Sequence, residues 1–325
     1  MAPLSLRRLR HSRHVRELTR EVRVHPEQFI QPLFVVEGLG ARESVPGLAD
    51  VHRDTPDSLL RQVEADLGQG ISKFLLFGVP ARKSDRDFRH DFTAGQIGAV
   101  KKRFGTDVWL AADVCLCSCT SHGHCGILTD DHEHVANDAT VEALARAARE
   151  FAIAGADCVA PSDMMDGRVA AIRTALADAG LERTVLMSYA AKFHSAFYGP
   201  FRIAAGSAPG ANVPLQDRAT YQIDPARPGD ALRSAARDAA EGADILMVKP
   251  ALPYLDILAT LSAAIPGPWA VYQTSGEQAG LDLLAGAGLA VAGRAQPETW
   301  QAFVRAGAQI IISYAARRAR QYLGG

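Results

Sequence analysis

The sequence predicts an α/β fold, a (β/α)8 TIM barrel preceded by an N-terminal arm, and three observations predict it. Eight short, almost wholly apolar runs recur along the chain. Helix-like or loop segments separate them, and strands apolar on both faces belong to parallel sheets covered by helices. The length, 325 residues, suits one such barrel and is long for a sandwich or a bundle. A doubly wound open sheet would give the same local pattern. The arm is expected over residues 1–28 and the barrel over 29–325, with no linker that would divide the chain.

In order, the arm carries Arg7, Arg8, Arg10, Arg13, Arg16, Arg20 and Arg23, and no acid precedes Glu17. A targeting peptide, a solvated basic helix and an arm packed on a neighbouring subunit all fit this composition. The segment runs straight into VRVHPEQFIQPLFVVEG without a processing-like spacer, which favours the arm. The apolar runs are PLFVVE (32–37), KFLLFGV (73–79), VWLAADV (108–114), CVAP (158–161), TVLMSYA (184–190), DILMVKP (244–250), WAVYQTS (269–275) and QIIISYA (309–315). Helical patterns lie between them, as in 56–70, 140–155 and 297–307. Residues 193–230 have no good helical period and many Gly, Pro and Ala. A long connection of that kind, with Phe197, Tyr198, Phe201 and Tyr221 in it, reads as a lid.

Composition narrows the function. The formal charge is −1, which gives no reason to expect nucleic acid or an acidic membrane as partner. No run reaches the ~18 apolar residues of a membrane span, and no signal-peptide pattern opens the chain, so a cytoplasmic protein is expected. Four of the five cysteines fall between Cys115 and Cys125. Clustering in a chain of this size reads as metal binding in a reducing compartment, not as a disulfide framework.

The cluster is DVCLCSCTSHGHCG (113–126), directly after the third run. Cys115, Cys117 and Cys125 can converge on one soft divalent cation, and zinc suits thiolate and imidazole ligands. Three cysteines point to a site with a position left open for water or substrate. Disulfides between such near neighbours would be strained. Cys119 and His124 stand close enough to ligate as well. His132 and His134, in DDHEHVAND, read as a solvated acidic loop, and Cys158 as a small core residue.

In barrel enzymes the chemistry sits at the carboxyl ends of the strands. Here those ends carry Asp113 and the cysteines, Ser162 and Asp163, Lys192, Lys249, Tyr272 with Ser275, and Tyr314. The chain has only six lysines, and two of them, Lys192 and Lys249, close adjacent strands. Two ammonium groups side by side in a desolvated pocket lower each other's pKa, and a neutral amine attacks a ketone to give a Schiff base. The competing readings are structural: a salt bridge from each lysine to Asp113 or Asp163, a helix cap at Ser162 and Asp163, and a packed core aromatic at Tyr272.

With these residues in view, the chain closely resembles the porphobilinogen synthase (5-aminolevulinate dehydratase) family from about Arg7 to Tyr322. The match is dense at DVCLCSCTSHGHCG, APSDMMDGR, MSYAAKFHSAFYGPFR, DRATYQ, GADILMVKPALPYLD, YQTSGE and IIISYA. The resemblance implies condensation of two 5-aminolevulinate molecules to porphobilinogen with loss of two waters, early in tetrapyrrole and heme synthesis. It implies that Lys249 forms the Schiff base with one substrate and Lys192 holds the second. It implies that Cys115, Cys117 and Cys125 hold a catalytic zinc, as in the zinc-dependent branch. Asp113, Ser162 and Asp163 take acid–base and amine-positioning roles by the same resemblance. Arg202 and Arg218 bind one carboxylate from the lid, alongside Gln222, Tyr198 and Phe201. Ser275 and Tyr314 hold the other carboxylate, and Tyr272 packs on the Schiff base. The arm resembles the family's, which wraps around a partner subunit, and the resemblance thereby implies a homo-octamer.

Cys119 replaces the family's usual aromatic near the thiol loop, and two further departures from the family pattern stand out. Ser234 follows Arg233 where many bacterial members have a glutamate that binds an allosteric magnesium, which argues against that Mg2+ site here; Arg237, one turn on, is expected to fill its space. Thr220 stands where some animal members have a cysteine of a second zinc site. A Schiff-base aldolase barrel explains one lysine but neither the second nor the thiols. A catalytically inactive zinc-binding barrel has no reason to keep Lys192, Lys249, Asp113, Arg202 and Arg218 together.

Overall fold

The structure, a computed structural model, describes residues 6–210 and 213–324. Residues 1–5 of the expected arm and 211–212 of the expected lid lie outside the described residues. Eight parallel strands close a barrel: β1 (Phe29–Val36), β2 (Lys73–Val79), β3 (Trp109–Val114), β4 (Cys158–Pro161), β5 (Val185–Lys192), β6 (Ile245–Lys249), β7 (Trp269–Tyr272) and β8 (Ile310–Ile312). They neighbour one another in sequence order, and β8 returns to β1 through Phe29↔Ile311 and Ile30↔Ile312. That closure decides between the barrel and the open sheet that the apolar runs left open.

β8 is too short to cover the whole edge of β1. A ribbon of two short strands, Glu43–Ser44 and His52–Asp54, takes over where it stops, pairing Arg53 with Phe34 and Asp54 with Val35. The ribbon thereby covers an edge that would otherwise present unpaired backbone groups.

The helices are α1 (Pro56–Gly68), α2 (Asp91–Phe104), α3 (Asn137–Ile153), α4 (Arg168–Asp178), α5 (Pro228–Ala240), α6 (Leu255–Ala264), α7 (Ser275–Gly286) and α8 (Ala292–Arg305). Local sequence sets several of their starts. Thr55 caps α1 with Pro56 in the first turn and Ser58 completing a capping box; Thr274 and Glu277 do the same for α7. α8 begins five residues before the expected 297, with Pro297 inside it. A proline reads as a helix start because it lacks an N–H, yet here a further turn of helix precedes it. The connection 193–230 is not wholly irregular either: Gly199–Ala204 is a short helix, and α5 begins at Pro228.

The apolar residues divide by side of the barrel wall. Ile30, Phe34, Leu75, Phe77, Ala111, Ala160, Met187, Tyr189, Met247, Ala270, Tyr272 and Ile312 fill the interior. Their neighbours in sequence pack outward against the helices. Both faces are buried, which is why the strands read as continuous apolar runs rather than as alternating ones. The arm is a 3-10 turn, Leu6–Arg10, and a helix, Arg13–Leu18, capped by Ser12; neither has a buried residue. No described helix is long and apolar enough to cross a membrane.

Candidate active site

Side chains alternate along a strand, so a residue two beyond an interior one also faces the interior. Asp113 follows Ala111 by two and Lys249 follows Met247 by two, which puts both inside at the carboxyl rim. Lys192 is three beyond the interior Tyr189 and would face out on a regular strand. The pairing of β5 with β6 slips between Ser188 and Ala191, so that three residues of β5 span two of β6. This bulge turns Lys192 inward and sets it level with Lys249 in the register.

Both lysines are buried, and neither forms an ion pair with an acid among the described residues. The salt-bridge reading is therefore not realised. Lys192 donates to the carbonyl oxygen of Ser162. Lys249 lies in an aromatic cage, its Nζ 3.7 Å from the Tyr272 ring centroid, 4.8 Å from Phe201, 5.1 Å from Tyr189 and 5.7 Å from Tyr198. Burial first, and the Lys192 charge second, push its ammonium down to about 7.

Asp113 has a buried carboxylate oxygen, Oδ1, without a hydrogen-bond partner. Burial pushes it up to about 6 against the pull of Lys192 and Lys249. Asp163 is also raised to about 6 by burial; one oxygen accepts from the Met165 N–H at 2.7 Å and the other lies 3.7 Å from the Arg168 Nε. Ser162 and Asp163 do not cap a helix, since α4 starts at Arg168 behind Gly167. Two carboxyl groups whose pKa burial raises to about 6, Asp113 with both lysines close by, can take and return protons.

The thiols of Cys115, Cys117 and Cys125 converge: their sulfurs lie within 4.8 Å of one another, with Cys115 and Cys117 3.3 Å apart. Hydrogen bonds from Cys115 and Cys117 hold Cys125 well below its ordinary pKa, while hydrogen bonds with Cys117 first and Cys125 second push Cys115 up. Three soft donors gathered around one thiolate fit a zinc ion. Cys119 is buried outside this group, its thiol pushed up to about 12 by burial. His124 does not join it either. Its Nδ1 lies 3.1 Å from the Tyr221 hydroxyl and its Nε2 2.8 Å from the Leu215 carbonyl oxygen, so both nitrogens are engaged by the lid. His132 and His134 belong to no such cluster among the described residues.

The lid closes over these groups. Arg218 is buried and donates to Gly123 and Ser207 carbonyl oxygens at 2.9 and 2.7 Å, while Arg202 is held down in pKa by burial and by Arg218. The side-chain amide of Gln222 is buried with neither oxygen nor nitrogen partnered. The Tyr198 hydroxyl donates to the Phe193 carbonyl oxygen at 2.9 Å. At the far side the Phe201 N–H donates to Ser275 Oγ at 3.0 Å and the Gly276 N–H to Phe197 O at 3.0 Å. The Tyr272 and Tyr314 hydroxyls are 3.1 Å apart. Every site residue expected from the sequence thus lies at this rim, in the lid or in the loop after β3.

Sequence reasoning missed three neighbours. Tyr189 presents a fully buried hydroxyl without a partner between the two lysines. It lay inside an apolar run, where inward and outward positions look alike. Arg168, fully buried, joins Asp238 at 2.8 Å and Ser188 at 3.1 Å behind β5. Glu277 accepts from the Thr274 and Leu252 N–H groups at 2.5 Å and so braces the turn after Lys249; the capping-box spacing from Thr274 is the signal that could have found it.

At the expected magnesium position, Arg237 pairs with Asp166 and lies 3.4 Å from Asp238 and 3.8 Å from Glu241.

Comparison with known proteins agrees with this fold. The family model described as delta-aminolevulinic acid dehydratase matches residues 4–322. A delta-aminolevulinic acid dehydratase of Bacillus subtilis (strain 168) is 42% identical over 321 residues, covering 98% of this chain and 97% of that protein. One of Methanothermobacter thermautotrophicus is 44% identical over 315 residues, covering 96% and 94%. The crystal structure of the Toxoplasma gondii ME49 enzyme in complex with the reaction product porphobilinogen superposes with a TM-score of 0.93 at 38% identity, covering 98% of this chain and 91% of that one.

Proposed function

The chain belongs to the delta-aminolevulinic acid dehydratase family, and from that premise we propose that its pocket joins two substrates through two lysine imines. The reaction is the condensation of two 5-aminolevulinate molecules to porphobilinogen, a hydro-lyase step of heme biosynthesis. The observation that carries the proposed route is the bulge that brings Lys192 level with Lys249 inside the barrel.

Lys249, with its depressed pKa, supplies a free amine near neutral pH, and attack on a ketone gives an imine and one water. Lys192 engages the second ketone in the same way and releases the second water. Each lysine amine is returned when a carbon–carbon and a carbon–nitrogen bond between the substrates replace the imines, so two waters account for both ketone oxygens. Asp113 and Asp163, both near neutrality, carry protons between the carbinolamine oxygens and the carbon that becomes nucleophilic, with Ser162 beside them. Arg202 and Arg218 suit one substrate carboxylate, since a guanidinium fork matches it in two places. Ser275 and Tyr314 serve the other, and Gln222, Tyr198 and Phe201 line the closed lid. Tyr272 covers the Lys249 imine with its ring. Cys115, Cys117 and Cys125 would hold zinc, which when bound supplies Lewis-acid polarisation of the second substrate's oxygen.

We further infer a homo-octamer in a cytoplasmic setting, in which the arm before residue 28 packs on a partner. The arm's Leu6, Leu9 and Leu18 are 64%, 58% and 79% exposed, and all the described cysteines are unpaired.

Borohydride reduction in the presence of 5-aminolevulinate tests the route. Mass spectrometry is expected to find a secondary amine at Lys249, and Lys249→Met is expected to lose the adduct and all turnover while keeping its fold. Turnover in that variant would overturn the assignment.

A further inference from the structure

A second basic cleft, of about 700 Å3, lies outside the barrel mouth between the ribbon, α1 and the chain after β8. Arg42, Arg317, Arg318 and Arg320 line it, with His52 and Asp50. The catalytic reading gives it no task, since none of these residues faces the lysines or the thiols.

The cleft is built from fixed parts. Arg317 is 8% exposed; it donates to the Asp50 carbonyl oxygen and lies 3.3 Å from Asp66 Oδ2, and its backbone N–H is held by Gln31 at 3.0 Å. Its Nε, buried, has no partner, and neither has the Nε of Arg318. Arg42 is held by Gln62 and by Asp54, 3.2 Å away, and lies 2.7 Å from His52 Nδ1. Arg320 forms no side-chain hydrogen bond or ion pair among the described residues. It lies across Gly70, where any Cβ would run into its guanidinium. The buried acids Asp54 and Asp66 offset Arg42 and Arg317, and Asp50 stands 3.9 Å from Arg318. Asp282 also lies within the field of Arg318, so the acids balance the guanidiniums in number; what is left over is Arg320, held by no carboxylate, and the two unspent Nε–H donors of Arg317 and Arg318.

We propose that this cleft binds a small multivalent oxyanion, a phosphate or a polycarboxylate, at a site separate from the catalytic pocket. Guanidinium forks present paired donors at the spacing of carboxylate and phosphate oxygens. Such a ligand joins the ribbon to the segment that follows β8. The ribbon side of this clamp underlies the lid, because Val45, Leu48 and Val51 pack in one cluster with Phe201 and Ala204. The other side lies three residues beyond Tyr314.

The test is calorimetric titration of the full chain with inorganic phosphate, and separately with citrate, at constant ionic strength in chloride. Saturable binding with Kd below about 1 mM is expected for at least one of them. A phosphate-only response assigns a phosphoryl ligand, and a citrate-only response a polycarboxylate. The double variant Arg318→Gln, Arg320→Gln is expected to weaken that binding at least tenfold with the KM for 5-aminolevulinate unchanged, which also reports that it is folded. Arg202→Ala is expected to leave it intact. No saturable heat with either anion overturns the proposal. So does equal affinity in the double variant, or loss of binding in Arg202→Ala, which would move the anion to the catalytic pocket.

Discussion

Lys249 shows how one residue obtains its chemistry from its surroundings. An ordinary lysine is almost wholly protonated at neutral pH; burial and the Lys192 charge bring this one down to about 7. Its reactive form is the neutral amine, so the yield of trapped imine is expected to fall as pH drops through about 7. Lys192→Met removes the neighbouring cation and is expected to move that midpoint to higher pH, as read by borohydride trapping across a pH series. An unmoved midpoint would leave burial as the sole cause. The three thiols support a second expectation. Exhaustive chelation is expected to abolish turnover, zinc alone to restore it, and magnesium to do little, given Ser234 and the Arg237 guanidinium paired with Asp166. At this scale the sequence was legible wherever a polar residue interrupted an apolar run: Lys249, Asp113 and the cysteines stand out for that reason. Tyr189 did not, because an unpartnered hydroxyl can be recognised only when its neighbours are known.

Among the elements, the bulge in β5 and the lid decide most. Eight strands could be counted from apolar runs, and their rims guessed from what followed each run. The face that Lys192 occupies could not be, because one extra residue in a strand leaves no mark on composition and yet reverses every side chain after it. The lid was legible as a long connection without helical period, but not what it closes on. It lands on the thiol loop: Gly210 N–H donates to His122 O at 2.8 Å, Arg218 to Gly123, and His124 holds Leu215 and Tyr221. Gly123 permits this approach. Its φ is +74°, and a Cβ would run into the Ala208 carbonyl. Gly123→Ala is therefore expected to hold the lid off the loop and raise the KM for 5-aminolevulinate about tenfold or more, with little change in far-UV circular dichroism. An unchanged KM would mean that substrate binding does not need this closure.

For the molecule as a whole, the arm and the barrel behave as different materials. The barrel buries its apolar residues on both sides of its wall, whereas the described arm helices bury none and leave Leu6, Leu9 and Leu18 in solvent. Removal of residues 1–18 is expected to lower the assembly mass in light scattering while the barrel's melting cooperativity survives. An unchanged mass would take the arm out of the assembly. The barrel itself closes on a seam two residue pairs long, between a strand that starts at Phe29 and one that ends at Ile312. Almost the entire polypeptide intervenes, and contacts so distant along the chain are the slowest to form. On the ribosome, β1 must therefore wait with an open flank until β8 has been synthesised, and the ribbon that already borders it is the one local cover available in the meantime.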